Sequence, residues 1–144
     1  MTHRVVLDTN VLVAAMRSDL GASRALLMDA LEQRYELLAS VPLMIEYEAV
    51  LARPEHLGAS NLSAEDVGAI LDAVAVVADR VRLAYLWRPT LPDANDDMVL
   101  ETAVNGRADF IVTFNRHDFE PVTSLFGLEV LGPAEALKRL RRSK

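Results

Sequence analysis

Cysteine is absent from this chain of 144 residues, so neither a disulfide framework nor a thiolate metal site can form. Histidine is scarce as well, and His3, His56 and His117 show no spacing typical of a zinc site. No apolar run reaches the roughly 18 residues of a membrane-spanning helix. The amino-terminal MTHRVVLD lacks the apolar segment of a signal peptide. We therefore expect a cytoplasmic protein without membrane association.

Apolar residues make up 51% of the chain, enough for the core of a single domain over residues 1–144. Strand-like and helix-like segments alternate, which predicts an α/β fold with a parallel sheet. Strands are predicted at 4–8, 35–40, 81–86, 110–114 and 128–131. Helices are predicted at 10–17, 21–34, 42–52, 64–79, 96–106, 120–126 and 133–142.

Charge is unevenly distributed along the chain. Residues 138–144 (KRLRRSK) hold five of the fifteen basic residues, and the other 137 residues carry ten basic against 21 acidic side chains. An acidic body argues against general electrostatic capture of nucleic acid. The basic tail has two interpretations: contact with RNA phosphates, or cations that stabilise the carboxyl end of a solvated helix.

The segment VVLDTNVLV is the most informative in the chain. Its apolar run predicts a strand buried on both faces of a parallel sheet, and Asp8 follows at the strand's carboxyl end, where such sheets bind ligands. A structural role for Asp8 would be to cap the helix that follows. Thr9 and Asn10 are polar too, and they are placed to orient a ligating carboxylate by hydrogen bonds.

Two further segments offer pairs of acids on predicted helices. Glu46 and Glu48 flank the apolar stripe of helix 42–52 equally, so periodicity does not choose between them. In helix 96–106, Asp96 falls within the apolar stripe, whereas Asp97 is predicted on the outer side with Glu101. An inward-facing acid is costly unless it is paired or binds metal, so Asp96 is the stronger candidate.

Asp118 ends the segment TFNRHD, which follows the strand predicted at 110–114. An ordinary polar loop with a helix cap explains it as well as a functional role does. Asp8, Glu46, Asp96 and Asp118 together make four carboxylates. All-oxygen ligand sets of this kind suit hard divalent cations.

These segments together resemble the PIN domain family. The stretches concerned are VVLDTNVLV, LMIEYEAVL, PDANDDMVLETAVNGRADFIVTFNRHDF and LEVLGPAEALKRL, in the family's order from about residue 4 to residue 140. The resemblance is closest to bacterial VapC-like proteins, the toxin components of toxin–antitoxin pairs. It assigns the family's four acids to Asp8, Glu46, Asp96 and Asp118. The resemblance thus selects Glu46 and not Glu48.

The resemblance implies a three-layer α/β fold with a five-stranded parallel sheet in the order 3-2-1-4-5, flanked by helices. It implies a metal-dependent endoribonuclease in which Asp8, Asp96 and Asp118 bind Mg²⁺ or Mn²⁺. Glu46 would be a further ligand or would position the attacking water.

Two supporting residues follow from the same resemblance. Thr113 and Asn115 would hold the scissile phosphate or a carboxylate. Many members have an aspartate where this chain has Asn115, so the fourth acid rests on Asp118. The expected partners are an RNA substrate, a cognate antitoxin and a second copy of the chain in a homodimer.

Two other functions compete with this one. A haloacid-dehalogenase-type phosphatase also begins with an aspartate after a strand, but its second aspartate would fall at Asn10. A catalytically silent PIN fold that serves as an RNA-binding or assembly module is the second alternative. The presence of all four acids argues against it.

Overall fold

The computed structural model describes residues 2–18, 21–60, 62–84 and 94–142, in which five strands and eight helices alternate. The strands are β1 (Arg4–Leu7), β2 (Glu36–Ala39), β3 (Asp79–Arg80), β4 (Phe110–Val112) and β5 (Glu129–Leu131). The helices are α1 (Thr9–Arg17), α2 (Ala22–Leu31), α3 (Val41–Leu51), α4 (Pro54–Ala59), α5 (Ala64–Val77), α6 (Ala94–Asn105), α7 (Arg116–Phe126) and α8 (Pro133–Arg142). In this part of the chain, no helix combines the length and apolar character needed to cross a membrane.

The five strands form one parallel sheet in the order β3-β2-β1-β4-β5, as expected. β1 is central: Val5 lies opposite Leu37 of β2 on one side and Phe110 of β4 on the other. The chain crosses the sheet in opposite directions before and after β3. Because parallel crossovers are right-handed, α2 and α6 lie on opposite faces. From β1 the sheet continues through β2 and β3 on one side and through β4 and β5 on the other. The gap between β1 and β4 is therefore the switch point, where such sheets bind ligands.

The third strand is shorter and earlier than predicted. The prediction of 81–86 was wrong where it can be compared, because the paired residues are Asp79 and Arg80, opposite Leu38 and Ala39 of β2. Val81 still donates its amide to the Ala39 carbonyl at 2.9 Å and is buried, but no strand is assigned beyond Arg80 up to residue 84. An edge strand with two exposed charged residues gives no apolar signal. Residues 85–86 of the predicted strand lie outside the described residues.

Caps and prolines set most helix starts. Ser63 and Asp66 form a capping box at α5, each side chain accepting the other's main-chain N–H at 3.1 Å. Ser40 caps α3, with Pro42 in its first turn. Pro54 follows the end predicted for helix 42–52, and it lies in the first turn of α4, a helix that was not predicted.

Gly106 ends α6 as expected, but for a reason other than its backbone freedom. The residue with a positive φ is Arg107 at 55°, and the Ala108 amide donates back to the Ala103 carbonyl at 2.9 Å. A Cβ on Gly106 would lie 2.7 Å from Val81 Cγ2 and 2.9 Å from the Thr102 carbonyl oxygen. The position requires glycine because α6 packs closely against the chain that follows β3.

The basic tail is mostly the last turn of α8. Arg141 reaches the buried Asp29 of α2 at 3.3 Å, and Arg139 binds Glu129 of β5 at 3.0 Å. These arginines also lie where cations offset the helix dipole. The structural interpretation of the tail therefore accounts for both of them, and residues 143–144 lie outside the described residues.

Candidate active site

Asp8 and Thr113 meet at the switch point of the sheet. Asp8 follows β1 and Thr113 follows β4, and the Asp8 amide donates to the Val112 carbonyl at 2.9 Å. The Thr113 hydroxyl donates to Asp8 Oδ2 at 2.7 Å, and both side chains are buried. The carboxyl ends of the neighbouring strands β1 and β4 thus place the Asp8 carboxylate beside its hydrogen-bond donor, Thr113.

The capping role considered for Asp8 is wrong. Asp8 occupies the residue before α1, but its side chain makes no capping hydrogen bond. The carboxylate turns to Thr113 instead. The buried Asp8 carboxylate is therefore held in one orientation by Thr113, and a capping role does not explain that orientation.

Tyr47 of α3 closes the site from the side of β1. Its hydroxyl donates to the Leu7 carbonyl at 2.5 Å, immediately before Asp8, and the side chain is fully buried. Burial raises the pKa of Tyr47 well above its ordinary value, and the negative charge of Asp8 raises it further. Tyr47 therefore remains a neutral donor that fixes α3 to the end of β1. Sequence reasoning placed it only in an apolar stripe.

The first turns of α6 contain more buried acid than expected. Asp96 is buried as predicted, but the prediction that Asp97 and Glu101 face outward was wrong: they are 1% and 0% exposed. No residue from 96 to 106 is exposed. The cause is packing on several sides, because α6 contacts β1, β2, β4 and also α3. A hydrogen bond of 2.7 Å between Ser40 and Thr102 ties α6 to the start of α3.

Glu46 and Glu48 differ in burial where periodicity could not separate them. Glu46 is half-buried on α3, whereas Glu48 is exposed and lines a groove against α5. Glu46 adjoins Tyr47 in the chain, so it lies on the helix that is fixed to the end of β1. The choice of Glu46 as a site residue stays a prediction of the family resemblance.

Asp118 lies in the first turn of α7 and is half-buried. The helix predicted at 120–126 begins earlier, at Arg116, so Asp118 is not in a polar loop. Asn115 is the residue before α7, and its side chain makes no capping hydrogen bond. Its main-chain amide donates to the Thr113 hydroxyl oxygen at 3.0 Å. Asn115 thus supports the hydroxyl that orients Asp8.

Asn10 and Thr9 begin α1 next to Asp8. The Asn10 side chain accepts from the Phe114 amide at 3.5 Å, a long contact, so it meets the segment after β4 and not the Asp8 carboxylate. Thr9 is the half-buried first residue of α1.

The donor chemistry of these elements fits a hard cation, because the buried side chains Asp8, Asp96, Asp97 and Glu101 offer only carboxylate oxygens. Within the described ranges, no three histidine or acidic side chains are close enough to share one ion. Mg²⁺ commonly binds one or two protein carboxylates and keeps several water ligands. A Mg²⁺ site therefore does not require three carboxylates around one ion.

The sequence of this chain matches a known protein family over most of its length. A PIN domain model matches residues 4–117, which is most of the chain and ends one residue before Asp118. The chain belongs to the PIN domain family. This assignment removes the phosphatase alternative. The matched residues include α3 with Glu46 and α6 with Asp96, and also Asp8 and Thr113, which follow β1 and β4.

Solved structures agree with the family on the fold. The chain is similar to a chain in the crystal structure of VapBC2 from Rickettsia felis bound to a DNA fragment from their promoter. The TM-score is 0.59 at 15% identity, covering 90% of this PIN domain chain and 98% of the other. At that identity the likeness concerns the fold alone. No curated protein sequence matches the chain.

Proposed function

We propose that this PIN domain chain is a metal-dependent endoribonuclease and the toxin of a VapC-like toxin–antitoxin pair. The observation that carries the proposal is Asp8, buried at the switch point of a PIN fold and oriented by Thr113 from the neighbouring strand. A carboxylate held in one orientation in a buried site is suited to bind a cation that acts on a phosphodiester.

The proposed metal ligands are Asp8, Asp96 and Asp118, and Mg²⁺ or Mn²⁺ is the proposed ion. When bound, the ion supplies Lewis-acid stabilisation of the phosphodiester charge and lowers the pKa of bound water. Asp97, buried beside Asp96, joins this set as a candidate that the sequence did not indicate. Because no three acids of the described ranges are close enough to share one ion, one or two of these carboxylates would bind it directly and the others through its bound water.

The other residues of the site orient the ligands and position the attacking water. Thr113 orients Asp8, Asn115 supports Thr113 through its main-chain amide, and Tyr47 fixes α3 at the end of β1. Glu46 positions the water that attacks phosphorus. The P–O3′ bond breaks as the water oxygen bonds to phosphorus, and a water proton passes to the leaving 3′ oxygen. The products are a 5′-phosphate and a 3′-hydroxyl.

The proposed partners follow from the family and from the charge of the chain. VapBC2 from Rickettsia felis, whose fold resembles this one, was crystallised on promoter DNA. We propose a cognate antitoxin for this chain too, and a homodimer as the toxin's own state. The net charge of -6 suits an antitoxin that offers arginine or lysine. A short reading frame for such a protein beside this gene would support the pairing.

One observation favours a silent PIN-fold module as the second candidate. Across the described residues, no three acids lie within reach of a single ion. A module that binds RNA or assembles with a partner without cutting would need no such arrangement. The two candidates differ in one property, which is metal-dependent turnover.

The experiment is a cleavage assay on single-stranded RNA with metal-stripped protein. We expect no cleavage in EDTA, cleavage on addition of Mn²⁺ or Mg²⁺, and a loss of roughly 10³-fold in Asp8→Asn, since a metal ligand contributes several kcal/mol. Glu65→Gln, at an exposed acid of α5, is the control and should cut at the wild-type rate. RNA binding without cleavage in any metal would establish the silent module instead.

A further inference from the structure

A cavity of about 510 Å³ opens beside the candidate site, at the carboxyl ends of β4 and β5. Its walls are mainly small apolar residues, including Ala14 within α1 and Ala22 and Pro133 at the starts of α2 and α8. Phe114 is the one aromatic side chain among its lining residues. The volume falls within the range of small-molecule sites, roughly 300–1,000 Å³.

Phe114 connects this cavity to the candidate site. Its side chain is 54% exposed, and it is the one aromatic among the large exposed apolar residues of the described segments. It directly follows Thr113, the residue that orients Asp8. Its amide meets the Asn10 side chain at 3.5 Å. An exposed ring is therefore held one residue from the hydroxyl that contacts the candidate metal ligand.

The rim of the cavity carries a cation. Arg116 lies 3.6 Å from Glu135, and both side chains are about half exposed. An ion pair this exposed is weak, so the guanidinium can exchange its partner for a phosphate at little cost. Apolar walls, an exposed ring and an arginine at the rim together match the base and the phosphate of a nucleotide.

We propose that Phe114 and this cavity bind an unpaired base of the RNA next to the phosphodiester that is cut. The inference rests on the proposed function and adds the way in which the site holds its substrate. Stacking on an aromatic ring is the usual way in which proteins hold single-stranded RNA. Because the walls are mainly apolar, we expect recognition by stacking, with purines favoured through their larger area and little readout of base edges.

A protein partner is the competing occupant, because exposed apolar residues also mark protein interfaces. The position favours RNA. The cavity opens at the carboxyl ends of the strands, and its Phe114 directly follows Thr113, which contacts Asp8, so a base bound there would lie near a phosphate at Asp8.

The test is the affinity for a fluorescently labelled single-stranded RNA, measured by anisotropy in EDTA so that no cleavage occurs. Phe114→Ala should weaken binding roughly 5- to 150-fold, the change expected for loss of one stacked base. Phe114→Trp should bind at least as tightly as wild type. Val76→Ala, which shortens an apolar side chain 83% exposed on α5, is the matched control and should not change the affinity.

A second readout reports stacking itself. An RNA with 2-aminopurine in place of one base should lose fluorescence on binding wild type and Phe114→Trp, and not on binding Phe114→Ala. Melting curves verify that the variants fold, which the exposure of Phe114 favours.

The outcomes separate this inference from the proposed function. Equal affinity of Phe114→Ala and wild type, in a protein that cuts RNA, overturns the base site and leaves the nuclease. Loss of antitoxin binding or of dimers in Phe114→Ala with RNA affinity unchanged identifies a protein interface and also overturns it. A wild-type protein that neither binds nor cuts RNA overturns both.

Discussion

Replacing Thr113 with valine removes one hydroxyl from the candidate site and hardly changes the shape of the side chain. That hydroxyl donates to Asp8 Oδ2 at 2.7 Å and accepts from the Asn115 amide at 3.0 Å. A hydrogen bond to a charged group contributes about 1.5–3 kcal/mol and a neutral one about 0.5–1.5 kcal/mol. We therefore expect Thr113→Val to lower the free energy of unfolding by about 2–4 kcal/mol.

The effect on activity should exceed what lost stability explains. Without its donor, the Asp8 carboxylate can rotate, and residues that orient metal ligands typically account for about 10- to 100-fold in activity or metal affinity. Thr102→Val is the matched control. Thr102 is equally buried, and its hydroxyl donates to the Met98 carbonyl at 2.8 Å and bonds to Ser40 at 2.7 Å, away from Asp8.

The assay compares both variants by urea unfolding and by RNA cleavage in saturating Mn²⁺, at a temperature where all proteins are folded. Both should lose stability, but only Thr113→Val should lose activity and bind Mn²⁺ more weakly. If Thr113→Val cuts RNA at the wild-type rate, Thr113 does not position the carboxylate. Equal losses of activity in the two variants would mean that general destabilisation, and not orientation, controls the rate.

Three further predictions concern other parts of the structure. Asp96→Asn should reduce cleavage roughly 10³-fold and Asp97→Asn at least about tenfold, because both are buried at the start of α6; a wild-type rate for Asp97→Asn would show that Asp96 acts alone. Burial raises the pKa of Tyr35 and of Tyr47, so the native state keeps protons that the unfolded chain releases above about pH 10. Unfolding free energy should therefore fall above that pH, by up to about 1.4 kcal/mol per pH unit for each tyrosine, and Tyr47→Phe should roughly halve the slope in urea titrations at pH 9–11. Gly106→Ala should lose about 1–3 kcal/mol because its Cβ meets Val81 and the Thr102 carbonyl, whereas Gly68→Ala, with no atom within 4 Å, should gain about 0.5–1 kcal/mol by the same measurement.

The core of the fold was predictable because its signals are local. The apolar run before Asp8 predicted a strand buried on both faces, and it is the central strand β1. The Ser63 capping box needed only two residues at the right spacing. The sheet order came from the family resemblance, and the structure confirms it. β3 was misplaced because two charged edge residues are defined by pairing with β2, which no local pattern records.

The candidate site was predictable where strand ends define it and not where helix packing does. The end of β1 located Asp8, and the family resemblance predicted that Thr113 holds the scissile phosphate or a carboxylate. Helical periodicity assumes one buried face, so it failed for Asp97 and Glu101 on a helix enclosed on several sides. Tyr47 looked like any core residue, because only the structure shows its hydroxyl at the Leu7 carbonyl.

The chemistry of the RNA ends tests the central claim most directly. Hydrolysis by an activated water predicts products with 5′-phosphates and 3′-hydroxyls, formed by wild type in Mn²⁺ and lost in EDTA and in Asp8→Asn. The ends can be assigned by mass spectrometry of a short synthetic RNA after partial cleavage. Products with 2′,3′-cyclic phosphates that form equally well in EDTA would contradict the account, since the RNA's own 2′-hydroxyl, and not a metal-activated water, would then be the nucleophile.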